Sequence, residues 1–361
     1  MSVQTDTSKL YAIATRNDTE RRVSDLDADR HKRFVGGEPE TVMDVLRSLR
    51  AVAEASGTGV IDWEKAAEAA KASTEPGSLD LTPAEREGYA ADVRDARRRV
   101  GEVSGLNFEV PGAVEVQNRH HWIDANVDTL RNVMRPIEGA ATPLLPDLSR
   151  IANTGSLAFT LGFLGRNVLG QYDPLLLADE PAEDHGLYFV HPNITAAASE
   201  LDLPYPRFRR WIAFHEVTHA AEFGAAPWLP EYLESRLESG IQSLTAGGLD
   251  PGAFAELQVA MTAVEGYAEL LMDRAFDREY ADLRRKLDER RSGGTPIERF
   301  ARRLLGLGMK RRQYERGAAF FEAVADARGI EAAGVVWSRP EYLPTNDELD
   351  HPETWLLRVD P

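Results

Sequence analysis

Five consecutive residues, His215, Glu216, Val217, Thr218 and His219, limit what this chain can fold into more than any other feature. Two histidines four apart stack on one face of a helix, about one turn from each other, where both imidazoles reach a single cation. Such a pair demands a helix, an inward face and a second element that brings another ligand. Glu216, beside the first histidine, suits a separate task. A carboxylate there can take a proton from a zinc-held water whose pKa the metal has lowered to about 7. The pattern points to metal-assisted hydrolysis.

The flanks agree with a helix. Tyr205 and Pro206 precede the motif, and Gly224 and Pro227 follow it, so residues 206–223 read as one helix of about five turns. Phe208, Trp211, Ile212, His215, His219 and Glu222 recur at three and four spacing, which makes the histidine face the apolar, inward one. Arg207, Arg209 and Arg210 gather near the start. A lone buried histidine is most simply a hydrogen-bonded core residue; two in this spacing with Glu216 fit a metal better.

Catalytic zinc takes three protein ligands and leaves the fourth position to water. With no cysteine in the chain, thiolates are excluded, and the spacing HExxHxxGxxH fails because Glu222 stands where it needs glycine. A carboxylate is the next candidate. Asp250 and Pro251 read as the cap and first residue of a second helix running to about Phe276, whose stripe of Met261, Val264, Glu265, Ala268 and Met272 is apolar except for Glu265. A carboxylate on such a face is costly to bury unless paired or bound to metal. Gly266 lowers helix propensity but lets another backbone come close. Glu269, one turn on, competes with Glu265, although its simplest role is a solvent-facing helix residue.

The segment Glu265-Gly266-Tyr267-Ala268 resembles the EGxA motif of many zinc peptidases, in which the glutamate is the third ligand. A wider resemblance rests on WIAFHEVTHAAEF at 211–223 with Pro227-Trp228-Leu229 after it, VLGQYDP at 168–174 and LYFVHPNI at 187–194. It continues in VEGYAELLMD at 264–273, GMKRRQYERG at 308–317 and EYLPTNDELDHP at 341–352. From about Ile61 to the C-terminus the chain resembles the zincin-like, zinc-dependent metallopeptidases that carry a deazaflavin-coenzyme-biosynthesis label. The resemblance implies a mainly α (α+β) fold, a zincin-like helical domain with a small β-sheet beside the HExxH helix. It also implies Zn²⁺ held by His215, His219 and Glu265, with Glu216 as base. Where the family often has a basic residue and a histidine after Pro-Trp-Leu, this chain has Pro230, Glu231 and Tyr232.

Charge narrows the partners. Asp+Glu 59 against Lys+Arg 42 gives a net charge of -17, which disfavours nucleic acid and anionic membranes. An acidic, lysine-poor surface fits a high-salt cytoplasm and a halophilic source, against the simpler account of a GC-rich genome favouring arginine. No secretory leader is visible, and the most apolar stretch, 157–164, is far below the roughly 20 residues that span a bilayer. The expectation is a cytoplasmic protein acting on a peptide or protein.

Residues 1–58 read as a partly disordered or helical N-terminal extension, and 59–361 as the metallopeptidase domain. Within it, helices are expected at 62–72, from Thr82 to Gly101 or Gly105, and at 122–134, ending before Pro136. A second capping box is expected at Thr345 and Glu348. Adjacent His120 and His121 point about 100° apart and read as core or helix start. Gly155, Gly162, Gly165 and Gly170 indicate close helix packing, without the Gly-Lys-Ser/Thr of a phosphate loop. Leu187 to Val190 is the clearest strand, assigned to an edge above the motif helix that pairs with substrate, and His191 after it lines the cleft or stays structural. Tyr267 and His191 are the candidates for contacting an oxyanion or substrate. Two other functions fit the same residues: a catalytically silent scaffold with structural metal or a binding role, and hydrolysis of a non-peptide amide.

Overall fold

The computed structural model describes residues 47–56, 59–112, 114–140, 146–173, 186–245, 251–276, 282–283, 285–286 and 311–361. Its first long helices are α1, Trp63–Ala72, and α2, Pro83–Ser104. Local chemistry sets their ends. Asp62 accepts from the Lys65 amide ahead of α1, and Thr82 and Glu85 exchange hydrogen bonds in the expected capping box ahead of α2. Gly105, at φ 69°, closes α2 in the left-handed conformation that glycine adopts without strain.

Strand β1 (Val114–Gln117) leads into α3 (Arg119–Ala140), and α4 (Pro146–Asn167) leads into β2 (Gly170–Asp173). Strand β3 (Gly186–Val190) runs directly into α5 (His191–Glu200), followed by the motif helix α6 (Tyr205–Ala225), α7 (Leu229–Thr245) and α8 (Pro251–Ala275). Helix α9 (Arg311–Arg328), the short α10 (Ile330–Gly334) and α11 (Pro352–Val359) complete the described chain. This is the expected mainly α fold with a small sheet. None of these helices is long and apolar enough to cross a membrane.

Several local expectations shift. Helix α3 starts three residues early and runs through Pro136; an interior proline forfeits one amide bond, and the helix is held at its start by the buried Trp122 and Ile123. Thr345 and Glu348 do exchange capping-box hydrogen bonds, at 3.2 and 2.8 Å, but on a turn that precedes α11. Gly224 does not end α6. A Cβ there would lie 2.9 Å from the Phe108 Cβ, so this glycine admits a neighbouring side chain. The extension expected at 1–58 is described only at 47–56, and the cap Asp250 lies outside the described residues.

The sheet has the order β1-β3-β2, with β1 parallel and β2 antiparallel to β3. This corrects the role expected of Leu187 to Val190. That strand is central, with Phe189 facing Val116 on one side and Gly170 on the other, so it has no open edge for a substrate. Its side chains explain the position: Leu187, Phe189 and Val190 are each fully buried. The strand beside the motif helix is β2, whose sequence Gly-Gln-Tyr-Asp carries little apolar signal. Leu187 and Phe189 join a core with Tyr89, Phe208 and Ile212, while Val190 joins a second cluster with Trp63, Trp122, Ile123 and Leu161.

Helix α6 is buried on nearly every face, because α2, α8 and β2 all pack on it. The arginines near its start are therefore part of the packing. Arg209 donates to Asp92 at 2.7 Å, with its guanidinium 5.2 and 5.4 Å from the rings of Tyr89 and Tyr205. Arg210 pairs with Asp95 at 2.7 Å. A charge buried on this face is tolerable because α2 supplies the carboxylates.

Candidate metal centre

Helix α6 brings His215 and His219 together one turn apart, with their Nε2 atoms 3.4 Å from each other. Two nitrogens bound at about 2.0–2.1 Å to one tetrahedral ion stand about 3.3 Å apart, so the pair already has metal spacing. Glu265, from α8, completes the group: one donor atom from each residue lies within 4.8 Å of the others. Among the described residues this is the one cluster of three or more potential ligands. Glu265, rather than Glu269, is the carboxylate brought to both imidazoles.

Two packing features set the position of these groups. Trp211 lies parallel to the His215 ring, with centroids 5.7 Å apart, and fixes its plane. Gly266 lets α9 cross α8 beside Glu265, since a Cβ on Gly266 would sit 2.4 Å from the Gly317 carbonyl carbon. The reciprocal Cβ on Gly317 would sit 2.4 Å from the Thr262 carbonyl oxygen. Two glycines facing each other across a helix crossing allow a backbone approach that no other residue pair permits.

Glu216 points toward β2 while staying close enough to His219 and Glu265 for their charges to act on it. Its Oε2 accepts from the Tyr172 amide at 2.9 Å, and its carboxylate and Cγ fill the space where a Gly170 side chain would begin, 2.7 Å from an ideal Cβ. Burial pushes the Glu216 carboxyl up to about 7, opposed by His219 and the Tyr172 amide and reinforced by Glu265. A base poised near neutrality can both accept and return a proton.

His219 has a partner of its own. Its Nδ1 is 2.9 Å from Oε2 of Glu222, a carboxylate with no solvent exposure. That contact leaves Nε2 as the atom facing His215 and Glu265. Burial opposes a charge on His219, yet the carboxylates of Glu222, Glu265 and Glu216 together push it up to about 10. Burial also pushes Glu222 up to about 7, against the pull of His219. Three carboxylates act on His219, and one of them, Glu265, also reaches His215, so the cluster offers two nitrogens and an oxygen, a donor set that suits a divalent cation.

Comparison with known proteins gives the same direction. The model of a zincin-like metallopeptidase family matches residues 61–251 and 248–356, most of the chain. The chain belongs to the zincin-like metallopeptidase family. That membership places it in the hydrolase class. The zincin-like chain is also similar to a crystal structure from Chloroflexus aurantiacus described as "a putative hydrolase with a novel fold", at 31% identity and a TM-score of 0.66. The match covers 88% of this chain and 99% of that one. No curated protein matches significantly.

The two residues of this zincin-like protein expected to contact an oxyanion or substrate, Tyr267 and His191, are both buried. Tyr267 is fully buried, its ring packed on Phe321 and Trp337 at 5.2 and 5.6 Å, and its hydroxyl is sealed from solvent. His191 is also buried, its Nδ1 3.1 Å from the Tyr89 hydroxyl and 3.2 Å from that of Tyr205. Burial holds His191 below the usual histidine range, with Glu85 opposing and Arg209 adding.

Sequence reading missed Glu222, Gly170 and Tyr172. Glu222 carried a signal, since a charged residue three positions after His219 on the inward stripe needs a partner there. The other two carried none, because Gly170 and Tyr172 act through a short strand whose contact with α6 is set by the fold. That strand is held from behind: Trp122 Nε1 donates to Gln171 at 2.8 Å, and Gln171 Nε2 donates to Asn126 at 2.9 Å.

Proposed function

We propose that this protein is a zinc-dependent peptidase whose metal is held by His215, His219 and Glu265 and whose general base is Glu216. The observation that carries the proposal is the 3.4 Å separation of the two Nε2 atoms with Glu265 within reach of both. Bound there, zinc supplies a Lewis acid for the scissile carbonyl and a water of lowered pKa. Glu216, beside these ligands, would take a proton from such a water and return it to the leaving amine. The Tyr172 amide and the absent Gly170 side chain keep the carboxylate in one place while it does so. Glu222 orients His219. Peptide as substrate is supported by family membership, and the acidic chain fits neither nucleic acid nor an anionic membrane as partner.

The test is metal analysis of protein purified without added metal, followed by a peptide-library digest against Glu216→Gln. Wild type should contain zinc and cleave; the variant should keep zinc and lose turnover, because the ligands are untouched. A Glu216→Gln protein with bound zinc and full activity defeats the mechanism.

A further inference from the structure

The two residues that seat Glu216 flank a third, Gln171, whose side chain points the other way. Successive side chains along a strand alternate between faces, so Gly170 and Tyr172 turn to α6 and Gln171 turns to α3. The contacts agree: the Tyr172 ring packs on Phe223 of α6 at 5.5 Å, and the Gln171 carboxamide meets Trp122 and Asn126 of α3. There three side chains close a ring of hydrogen bonds. Trp122 Nε1 donates to Gln171 Oε1 at 2.8 Å, Gln171 Nε2 donates to Asn126 Oδ1 at 2.9 Å, and Asn126 Nδ2 donates to the Trp122 carbonyl at 2.8 Å. The ring has one sense only. An indole N–H can only donate and a backbone carbonyl can only accept, so turning over either carboxamide, or both, sets like against like. Trp122 and Asn126 are buried, and Trp122 belongs to the second core cluster with Trp63, Ile123 and Leu161.

We propose that Gln171 is a positioning residue for Glu216, and that its ring with Trp122 and Asn126 sets how far β2 stands from α6. The ladder with β3 fixes β2 within the plane of the sheet, through pairings such as Gly170 with Phe189 and Gln171 with Tyr188. Ladder bonds lie in that plane, so they resist least a shift perpendicular to it, and that shift is the one that changes the gap to α6. On the α6 side the Tyr172 ring bears on Phe223. Toward α3 the strand offers only Gln171 and Asp173, neither of them apolar. The ring supplies the missing restraint, because a shift of β2 pulls on a buried donor and a buried acceptor that are costly to leave unpaired. Both neighbours of Gln171 feel the gap: Glu216 Oε2 takes the Tyr172 amide at 2.9 Å, and Glu216 Cγ lies 2.7 Å from an ideal Cβ on Gly170. Helix α3 carries none of the proposed ligands, yet through Gln171 it fixes where the base stands. This inference rests on the proposed role of Glu216 as base and adds residues of a helix that the motif does not contain.

The experiment measures steady-state cleavage by the full chain of the peptide cut fastest in the library digest, with zinc affinity by chelator competition and urea unfolding alongside. Gln171→Met keeps the length of the side chain and loses both hydrogen bonds, whereas Asn126→Leu keeps its volume and leaves Gln171 without its acceptor. Each should lower kcat about 10-fold or more, as displacing a catalytic group does, while KM and zinc affinity stay within about 2-fold of wild type. The double variant should fall no further than the weaker single one, because both break the same ring. A ring that only stabilises the fold lowers the urea midpoint and leaves kcat unchanged, and that result overturns the inference. Losses that multiply in the double variant overturn it as well. Hydrogen exchange in wild type needs no variant to fold: the half-buried Gln171 carboxamide should exchange about 10-fold or more slowly than free glutamine, and exchange at the free rate overturns the ring. Wild type that binds no zinc or cleaves no peptide, or Glu216→Gln that cleaves as wild type does, overturns the proposed function. Wild-type kcat in Gln171→Met and Asn126→Leu, with Glu216→Gln silent, overturns this inference alone.

Discussion

Gly266→Ala sets two effects of opposite sign against each other, and the structure decides which wins. Alanine in place of glycine in a helix interior ordinarily gains about 0.5–1 kcal/mol, because the unfolded chain has less freedom to lose. At this position the new Cβ would lie 2.4 Å from the Gly317 carbonyl carbon, 2.6 Å from its Cα and 2.7 Å from its oxygen, where ordinary contact begins at 3.4 Å. All three atoms are backbone, so no side chain can swing away. Helices α8 and α9 must separate by about 1 Å, and overpacking of that kind costs about 1–3 kcal/mol, with backbone against backbone at the upper end. The net expectation is a loss of about 2 kcal/mol. Because Glu265 is the preceding residue, the same displacement moves a ligand, so zinc affinity should fall as well. Urea unfolding in the presence of a chelator gives the first quantity and chelator competition the second. A Gly266→Ala protein that is as stable as wild type or more so, with unchanged zinc affinity, refutes the close crossing as the reason for this glycine.

Gly170→Ala tests the seat of the base. Its Cβ would lie 2.7 Å from Glu216 Cγ and Oε1, and displacing a catalytic group by a fraction of an ångström costs about 10-fold or more. kcat/KM should fall by that much while zinc content stays at the wild-type level; an unchanged kcat/KM removes Gly170 from the account. pH should act on the metal-free protein in an unusual direction. Glu216 and Glu222 are raised to about 7 and His219 to about 10, so the folded protein holds protons that the unfolded chain has released. The stability these groups contribute is complete below the unfolded carboxyl value near 4.5 and is lost as pH rises through about 7 and then about 10. Urea midpoints with chelator present should therefore decline from about pH 5 to pH 9, and in Glu216→Gln the part of the decline below about pH 7 should flatten. Midpoints that hold steady or climb over that range contradict the raised values.

Much of the site was legible because its parts are local. The spacing of His215 and His219 is a property of one helix, and any inward helix with that spacing places both imidazoles on one cation. Glu265 was legible for a related reason: a carboxylate alone on an apolar stripe must have a reason to be buried. Capping at Thr82 followed from a residue three positions on, Glu85.

The parts that were not legible depend on neighbours distant in sequence. Arg209 is only one of three arginines near a helix start until α2 brings Asp92 across 117 positions to meet it. Leu187 to Val190 reads as a strand, but whether it is an edge or a centre depends on which strands flank it, and here both sides are taken. Gly170 and Tyr172 have no signature of their own, since a backbone amide and a missing side chain gain meaning only when Glu216 is folded against them. The sequence by itself determined which residues gather into the His–His–Glu cluster proposed to hold a metal, because helical periodicity and the cost of buried charge act within a single element. The tertiary structure alone decided what stands behind and beside that centre, because close approach of two backbones and the pairing of buried polar groups are properties of elements brought together.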